Sequence, residues 1–243
     1  LRILLTRALS QVQPLQTLLS EQGYQPVLFP TLEIELLNNK PLKTHYNVLI
    51  FISANAVEHG LETLKILDYQ QTTKIFAVGA ATAKKLEEYG IQVDAFPAQK
   101  ASSEALLAMS ELQALHHQTV LIFRGKGGRE TLKDSLSKNN KVEYIEVYQR
   151  VRCNITPLHR DSLLNFLQSN QGIVTATSVE NLSALVFMIK QIDTKALNLI
   201  KRYPLVVLSE RIKVFAQSIG FNQIKVAIET RDEGLLKAIQ CSL

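Results

Sequence analysis

Residues 119–150, TVLIFRGKGGRETLKDSLSKNNKVEYIEVYQR, decide how the rest of the chain is read. Thr119–Phe123 is a short, apolar, β-branched run, the pattern of a strand buried on both faces of a parallel sheet. Arg124-Gly125-Lys126-Gly127-Gly128-Arg129 then sets three glycines and three cations in a strand-to-helix turn. Glycines remove side-chain obstruction, so such a turn can bring backbone N–H groups close to an anion at a helix N-terminus. A short helix with apolar Leu132 and Leu136 follows, then a second strand, Val142–Tyr148, which ends in a tyrosine. The stretch is one β-α-β unit. A purely structural glycine-rich turn with surface cations is the alternative reading of the same residues. There is no G-x-x-x-x-G-K-[ST], and the glycines do not form G-x-G-x-x-G, so no nucleotide fingerprint is present.

The 243 residues suffice for one large or two small domains, and 46% hydrophobic with 20% charged content describes a globular chain with an ordinary core. Trp is absent and aromatics reach only 7%, so platforms for stacking bases are scarce. The formal net charge of +5 favours anionic partners. The cations are scattered rather than clustered, which suits a small polyanion better than a nucleic acid. Cys153 and Cys241 are too few for a disulfide framework or a zinc site, and the five histidines show no metal-ligand spacing. No signal peptide is recognised at the start, and no apolar run approaches the roughly 18 residues needed to span a bilayer. A cytoplasmic protein without membrane contact is expected.

Strand and helix signals alternate along the chain. Arg2–Thr6 reads as a strand, followed by a helix with Val12, Leu15, Leu18 and Leu19 on one face, Pro14 in its first turn and Gly23 at its stop. Pro26–Phe29 is the next strand. Thr31–Leu37 alternates polar and apolar residues, as an exposed connecting strand does. Val48–Ile52 is a buried strand, and Ser53 an N-cap for a helix with Ala54, Val57, Leu61 and Leu64 inward. Lys74–Val78 and Val93–Phe96 read as strands flanking a helix that runs from Gly79 to Gly90. Ser102-Ser103-Glu104 opens a helix with Leu106 and Met109. Beyond the β-α-β unit, Gln149–Asn154 is again a connector, and Thr156-Pro157 starts a helix. Ile173–Thr177 leads to a helix capped by Ser178, and Leu205–Leu208 to one capped by Ser209 and stopped by Gly220. Ile224–Ala227 is the last strand, and Thr230-x-x-Glu233 is a capping box for the last helix.

The order of these elements repeats. Residues 1–33 form a short strand-helix-strand unit and 46–112 a long one; 119–151 match the short unit and 172–240 the long one. Each short-plus-long set has five strands and four helices. The predicted fold is therefore α/β, two flavodoxin-like (doubly wound parallel sheet) domains from an internal duplication, joined by a two-strand connector. Whether each half closes on itself or the halves exchange short units stays open at this point.

In such folds ligands lie outside the carboxyl ends of the strands. The turns there carry Thr6-Arg7, Ser53-Ala54-Asn55, Gly79 with Thr82, Ser102-Ser103, Arg124-Gly125-Lys126, Thr177-Ser178, and Ser209 with Arg211. Each hydroxyl also has a plain role as a helix cap. Their concentration at one end of both sheets suggests more, a surface rich in N–H donors, hydroxyls and cations. No Ser-His-Asp or Cys-His set can be assembled, so a site here would act by binding, orientation and electrostatics.

Taken together, several short motifs resemble the uroporphyrinogen-III synthase family over essentially the whole chain. They are Ile3-Leu4-Leu5-Thr6-Arg7, Phe51-Ile52-Ser53-Ala54-Asn55-Ala56-Val57, Ala77-Val78-Gly79 with Thr82-Ala83, and Ser103-Glu104 before Leu106-Leu107. Arg124-Gly125 with Gly128-Arg129, Val147-Tyr148-Gln149-Arg150, Thr177-Ser178 and Val207-Leu208-Ser209-Glu210-Arg211 complete them. The chain departs from the family's common pattern at Thr177-Ser178-Val179, where a proline or small residue often follows the serine. It departs again at Ser209-Glu210-Arg211, where many members have a glycine and threonines.

The resemblance implies a discontinuous first domain, 1–35 plus 154–243, and a second, 39–149, with connectors at about 31–38 and 149–155 and the active site between the domains. The implied reaction closes the linear tetrapyrrole hydroxymethylbilane, inverts its terminal (D) pyrrole and releases water, without cofactor or metal. The implied substrate is a polycarboxylate, in keeping with the net positive charge. By the same resemblance the residues at the βα turns become substrate-binding candidates, and Tyr148 the candidate acid for departure of the substrate hydroxyl. A monomer is expected, with a transient contact to the upstream enzyme that makes hydroxymethylbilane, and with neither nucleic acid nor membrane as partner. The alternative class is a non-catalytic two-domain sensor or binding protein that closes on a small polyanion.

Overall fold

A computed structural model describes residues 1–69, 72–169 and 171–242. In chain order the elements begin with β1 (Arg2–Leu5), α1 (Leu9–Glu21), β2 (Gln25–Leu28), β3 (Leu32–Leu36), β4 (Val48–Phe51), α2 (Ala54–Ile66) and β5 (Lys74–Ala77). Next come α3 (Ala80–Glu88), α4 (Ser103–Leu107), α5 (Ser110–Gln113), β6 (Thr119–Gly125), α6 (Thr131–Leu136) and β7 (Lys141–Arg152). The chain continues with α7 (Pro157–Leu167), β8 (Gly172–Ala176), α8 (Val179–Ile192), α9 (Thr194–Ile200), β9 (Leu205–Val207), α10 (Glu210–Ser218), β10 (Ile224–Val226) and α11 (Asp232–Gln240). It divides into two compact units: Leu1–Glu33 with Val151 onward is unit 1, and Ile34–Arg150 is unit 2. The chain thus leaves unit 1 within β3 and returns within β7, and these strands are neighbours in one sheet.

Unit 1 holds a five-stranded sheet in the order β2-β1-β8-β9-β10, every pairing parallel. Strand residues point alternately to opposite faces, and both faces here are covered. Leu4, Val174 and Val207 pack into a core with residues of α7, α8, α9 and α10; Ile3, Leu5, Ile173 and Val206 pack into another with α1 and α11. This is why Leu205–Val207 reads as an unbroken apolar run. Unit 2 has the order β3-β7-β6-β4-β5, with β7, β6, β4 and β5 paired in parallel. Its β4 is split in the same way: Leu49 and Phe51 face α2 and α3, whereas Val48 and Ile50 face α4, α5 and α6.

Several expectations need correction. Val93–Phe96 forms no strand; it contributes one bridge, Ala95 to Phe76, and its residues are only partly buried, so little burial reinforces a longer ladder. Pro14 lies in the second turn of α1, because the helix already begins at Leu9. Its missing N–H would have met the Ser10 carbonyl, and both residues are exposed, so water can take that carbonyl. The inward stripe of α2 is Ala56, Val57, Gly60, Thr63 and Leu64, with Ala54 and Leu61 half-buried at its margin. The helix opened at Ser102 is two short ones, with Met109 between them as the N-cap of α5. Helix α9, capped by Asp193, was not expected at all.

The Thr230 capping box does not form either; α11 starts at Asp232 with Arg231 as its N-cap. The turn before it folds back so closely that a Cβ on Gly234 would lie 2.2 Å from the Glu229 carbonyl oxygen. Backbone cannot yield as a flexible side chain can. Gly234→Ala is therefore expected to destabilise the protein by about 1–3 kcal/mol, read as a lower urea midpoint. An unchanged midpoint would show that the turn relaxes freely.

Candidate active site

The C-terminal ends of the strands carry the nominated residues, and each unit presents its own edge. In unit 2 the centre is Tyr148. It does not end β7; it lies inside that strand, four residues before Arg152. A register shift at Arg124/Gly125 sets Gly125 opposite Tyr148. The ring sits on the bare face of Gly125, where a Cβ would come within 2.5 Å of Cζ and 2.9 Å of Oη. Only glycine leaves that seat empty. The ring joins the core with Ile145 and Val147 and is 3% exposed. Its hydroxyl lies 3.3 Å from Ser53 Oγ. His59, on α2, lies beside it with ring centroids 5.7 Å apart, and the Arg150 guanidinium stands 5.6 Å from the ring centroid.

Ser53 is the N-cap of α2, its Oγ accepting from Ala56 N–H at 3.0 Å. Ala54 and Asn55 form the first turn of that helix and are half-buried. Gly79, the N-cap of α3, is buried so tightly that a Cβ would meet Ala101 Cβ at 2.4 Å, and Thr82 is buried one turn on. Thus the turn after β5 touches the segment that leads to Ser102. Ser102 caps α4 through Ala105 N–H at 3.1 Å, and Ser103 is half-exposed beside it.

The glycine-rich loop is arranged differently from the open anion cradle its composition suggests. Arg124 is 1% exposed and points inward. Its guanidinium donates to the carbonyls of Gly125 (3.2 Å) and Gly127, pairs with Glu130 at 2.9 Å, and lies 4.3 Å over the Tyr144 ring. Burial pushes the Tyr144 phenol above its ordinary pKa. Two loop N–H groups are also engaged: Lys126 donates to the Tyr148 carbonyl at 2.7 Å and Gly127 to Glu146 at 3.2 Å. The Lys126 side chain is exposed. The loop is therefore folded around its own arginine, with one lysine outward.

In unit 1 the nominated residues divide. Thr6 is 1% exposed and belongs to a buried polar network centred on Asn181, which is 3% exposed. The Thr6 hydroxyl lies 2.7 Å from the Thr175 carbonyl and 2.6 Å from Asn181 Oδ1. Asn181 Nδ2 donates to the Thr6 carbonyl at 2.7 Å and to Thr31 Oγ1 at 2.6 Å, and Thr177 N–H donates to Oδ1 at 3.2 Å. Arg7 pairs with Asp232 at 2.7 Å. Ser178 and Ser209 cap α8 and α10, through Asn181 N–H at 3.1 Å and Ile212 N–H at 3.4 Å. Thr177 is half-buried and Arg211 is exposed.

Sequence reasoning missed Asn181, although an asparagine among the inward positions of an apolar helix was a signal. It also missed Glu130 as the partner of Arg124, and His159, which completes the cap of α7 with Thr156 and contacts the Pro30 carbonyl at 2.8 Å. Burial, reinforced by Glu33, pushes the Cys153 thiol up to about 11, so it is no thiolate nucleophile at neutral pH. Among the described residues, no helix is long and apolar enough to cross a membrane.

Comparison with known proteins bears on this arrangement. The chain is 32% identical over 197 residues to a uroporphyrinogen-III synthase of Escherichia coli, covering 80% of this chain and 78% of that protein. It is 29% identical over 251 residues to the Salmonella typhimurium uroporphyrinogen-III synthase, covering 98% and 99%. The fold is similar to that of the solved uroporphyrinogen-III synthetase from Helicobacter pylori, with a TM-score of 0.67 at 18% identity over 99% of this chain and 98% of that one. The family profile described as uroporphyrinogen-III synthase HemD matches residues 13–237, and the chain belongs to the uroporphyrinogen-III synthase family.

Proposed function

We infer that this chain carries its family's activity: it closes hydroxymethylbilane to uroporphyrinogen III, with inversion of the terminal pyrrole and loss of water. Family membership favours this enzyme over a non-catalytic binding protein. The structural observation that carries the mechanistic reading is the Tyr148 phenol seated on Gly125 beside Ser53, at the C-terminal edge of a parallel sheet. Hydroxide is a poor leaving group. A proton delivered to the substrate hydroxyl, directly or through a neighbouring group, lets it depart as water, leaving an azafulvene-like cation. A phenol is a hydrogen-bond donor and can supply that proton. The C–O electron pair leaves with oxygen, the proton comes from Tyr148, and the proton lost when the closed ring regains aromaticity restores it. Identifying the isomer formed from fresh hydroxymethylbilane tests the activity itself.

Binding falls to the groups left available at the two edges. We assign substrate contact to Ser53, Ser103, Lys126, Thr177 and Arg211, with the first turns of α2 and α8 offering helix N-termini worth roughly 0.3–1 kcal/mol each to a carboxylate. Thr6, Thr82 and Arg124 are assigned to shaping those edges. Lys126→Ala should raise KM about two- to fivefold at low ionic strength, with the difference shrinking as salt is added and turnover at saturation retained. Collapse of kcat at unchanged KM would contradict a purely electrostatic role.

The two units correspond in this reading to two flavodoxin-like domains of duplicated origin. What supports it is the shared order, β2-β1-β8-β9-β10 in one and β7-β6-β4-β5 with the Ala95 bridge in the other. A monomeric cytoplasmic enzyme, receiving its unstable substrate in a transient encounter with the enzyme that makes it, fits the same reading.

A further inference from the structure

A phenol 3% exposed is poorly placed to touch a substrate hydroxyl directly. We propose that Ser53 carries the proton between them, as a relay from the Tyr148 phenol to the departing oxygen. The inference rests on the reading of Tyr148 as the acid and goes beyond it by naming the group that meets the substrate.

The hydrogen-bond inventory of Ser53 supports the assignment. A serine hydroxyl offers two acceptor sites and one proton. One acceptor site takes Ala56 N–H at 3.0 Å, and the Tyr148 hydroxyl lies 3.3 Å away, where either oxygen can donate to the other. In the orientation in which the phenol donates, both acceptor sites are filled and the serine's own proton points to a third group. Among the described residues, Ser53 is the hydrogen-bond partner of the Tyr148 hydroxyl, and Gly125 packs against the ring at Cζ and the hydroxyl. Ser53 is half-buried where Tyr148 is buried, and it stands on the turn after β4, on the edge that ligands use in such sheets. Helix capping and phenol donation together aim one hydroxyl outward.

The step balances. The substrate C–O bond breaks with its electron pair on oxygen; that oxygen takes the Ser53 proton and leaves as water. Ser53 takes the Tyr148 proton in the same event, and Tyr148 is left as phenolate. The proton released when the new pyrrole regains aromaticity returns by the reverse path.

The experiment is a kinetic cycle of Ser53→Ala, Tyr148→Phe and the double variant, with Ser53→Thr and Ser53→Gly alongside. Ser53→Ala should lose on the order of 100-fold in kcat, and only about threefold or less when Tyr148 is already phenylalanine, because both act in one transfer. Ser53→Thr keeps the hydroxyl and should recover most of the loss. Ser53→Gly preserves the N-cap far better than alanine does and should lose as much kcat as Ser53→Ala, which separates the relay from helix capping. In mixtures of light and heavy water, wild-type kcat should fall along a bowed curve, with two protons in flight. Equal losses from Ser53→Ala in both backgrounds, or a change in KM alone, would overturn the relay while leaving Tyr148 as the acid. A silent Tyr148→Phe variant would remove the acid assignment and the relay with it.

Discussion

Tyr148→Phe is expected to lower kcat by on the order of 100-fold and to leave the fold intact. General-acid assistance is typically worth 10²–10⁴-fold, and ionisation of a hydroxymethyl group without a donor must expel hydroxide. The lower end is expected because pyrrole electron release assists ionisation whether or not the acid is present. Phenylalanine keeps the ring on its Gly125 seat and in the core with Ile145 and Val147. It removes only the hydroxyl 3.3 Å from Ser53. The loss should therefore appear in kcat, with the melting temperature within a few degrees of wild type. A loss below about threefold would make Tyr148 a packing residue, and the ionisation would then rest on the substrate and the dipoles around it.

The largest effect on stability is expected at Asn181. Its side chain joins the ends of β1 and β8 to Thr31, just before β3, through the Thr6 carbonyl and hydroxyl, the Thr31 hydroxyl and the Thr177 N–H. Asn181→Ala removes all four contacts at once in a place water reaches poorly. A buried polar group left unpaired costs about 1–3 kcal/mol, and coupled networks lose more than isolated bonds. A loss of about 3 kcal/mol or more is expected, measured by urea unfolding. A loss below about 1 kcal/mol would mean that water enters and replaces the amide.

Strand cores were legible because burial on both faces forces unbroken apolar runs, as in Val48–Phe51 and Leu205–Val207. The caps at Ser53, Ser102, Ser178 and Ser209 were legible because a serine before an apolar-periodic run has a local job, and each accepts the expected backbone N–H. What escaped depends on contacts that residue spacing alone does not reveal, some local and some distant in sequence. Arg124 looked like an anion ligand; its inward turn is set by Glu130 and by Tyr144 on another strand. Tyr148 looked like a strand end because Gln149 begins a polar stretch, yet pairing carries β7 on to Arg152. Thr230 matched a capping box in pattern, but close packing at Gly234 moved the helix start. Asn181 stands out as a polar residue on an apolar helix face, but its partners Thr6 and Thr31 are brought to it only by the fold.

The most direct test of the central claim is to give the purified protein freshly prepared hydroxymethylbilane and identify the product isomer. Closure without an enzyme keeps the terminal pyrrole in its original orientation and gives the type I isomer. Type III product, formed in proportion to enzyme and faster than spontaneous closure, is the expected result. Exclusive type I product at the spontaneous rate would contradict it.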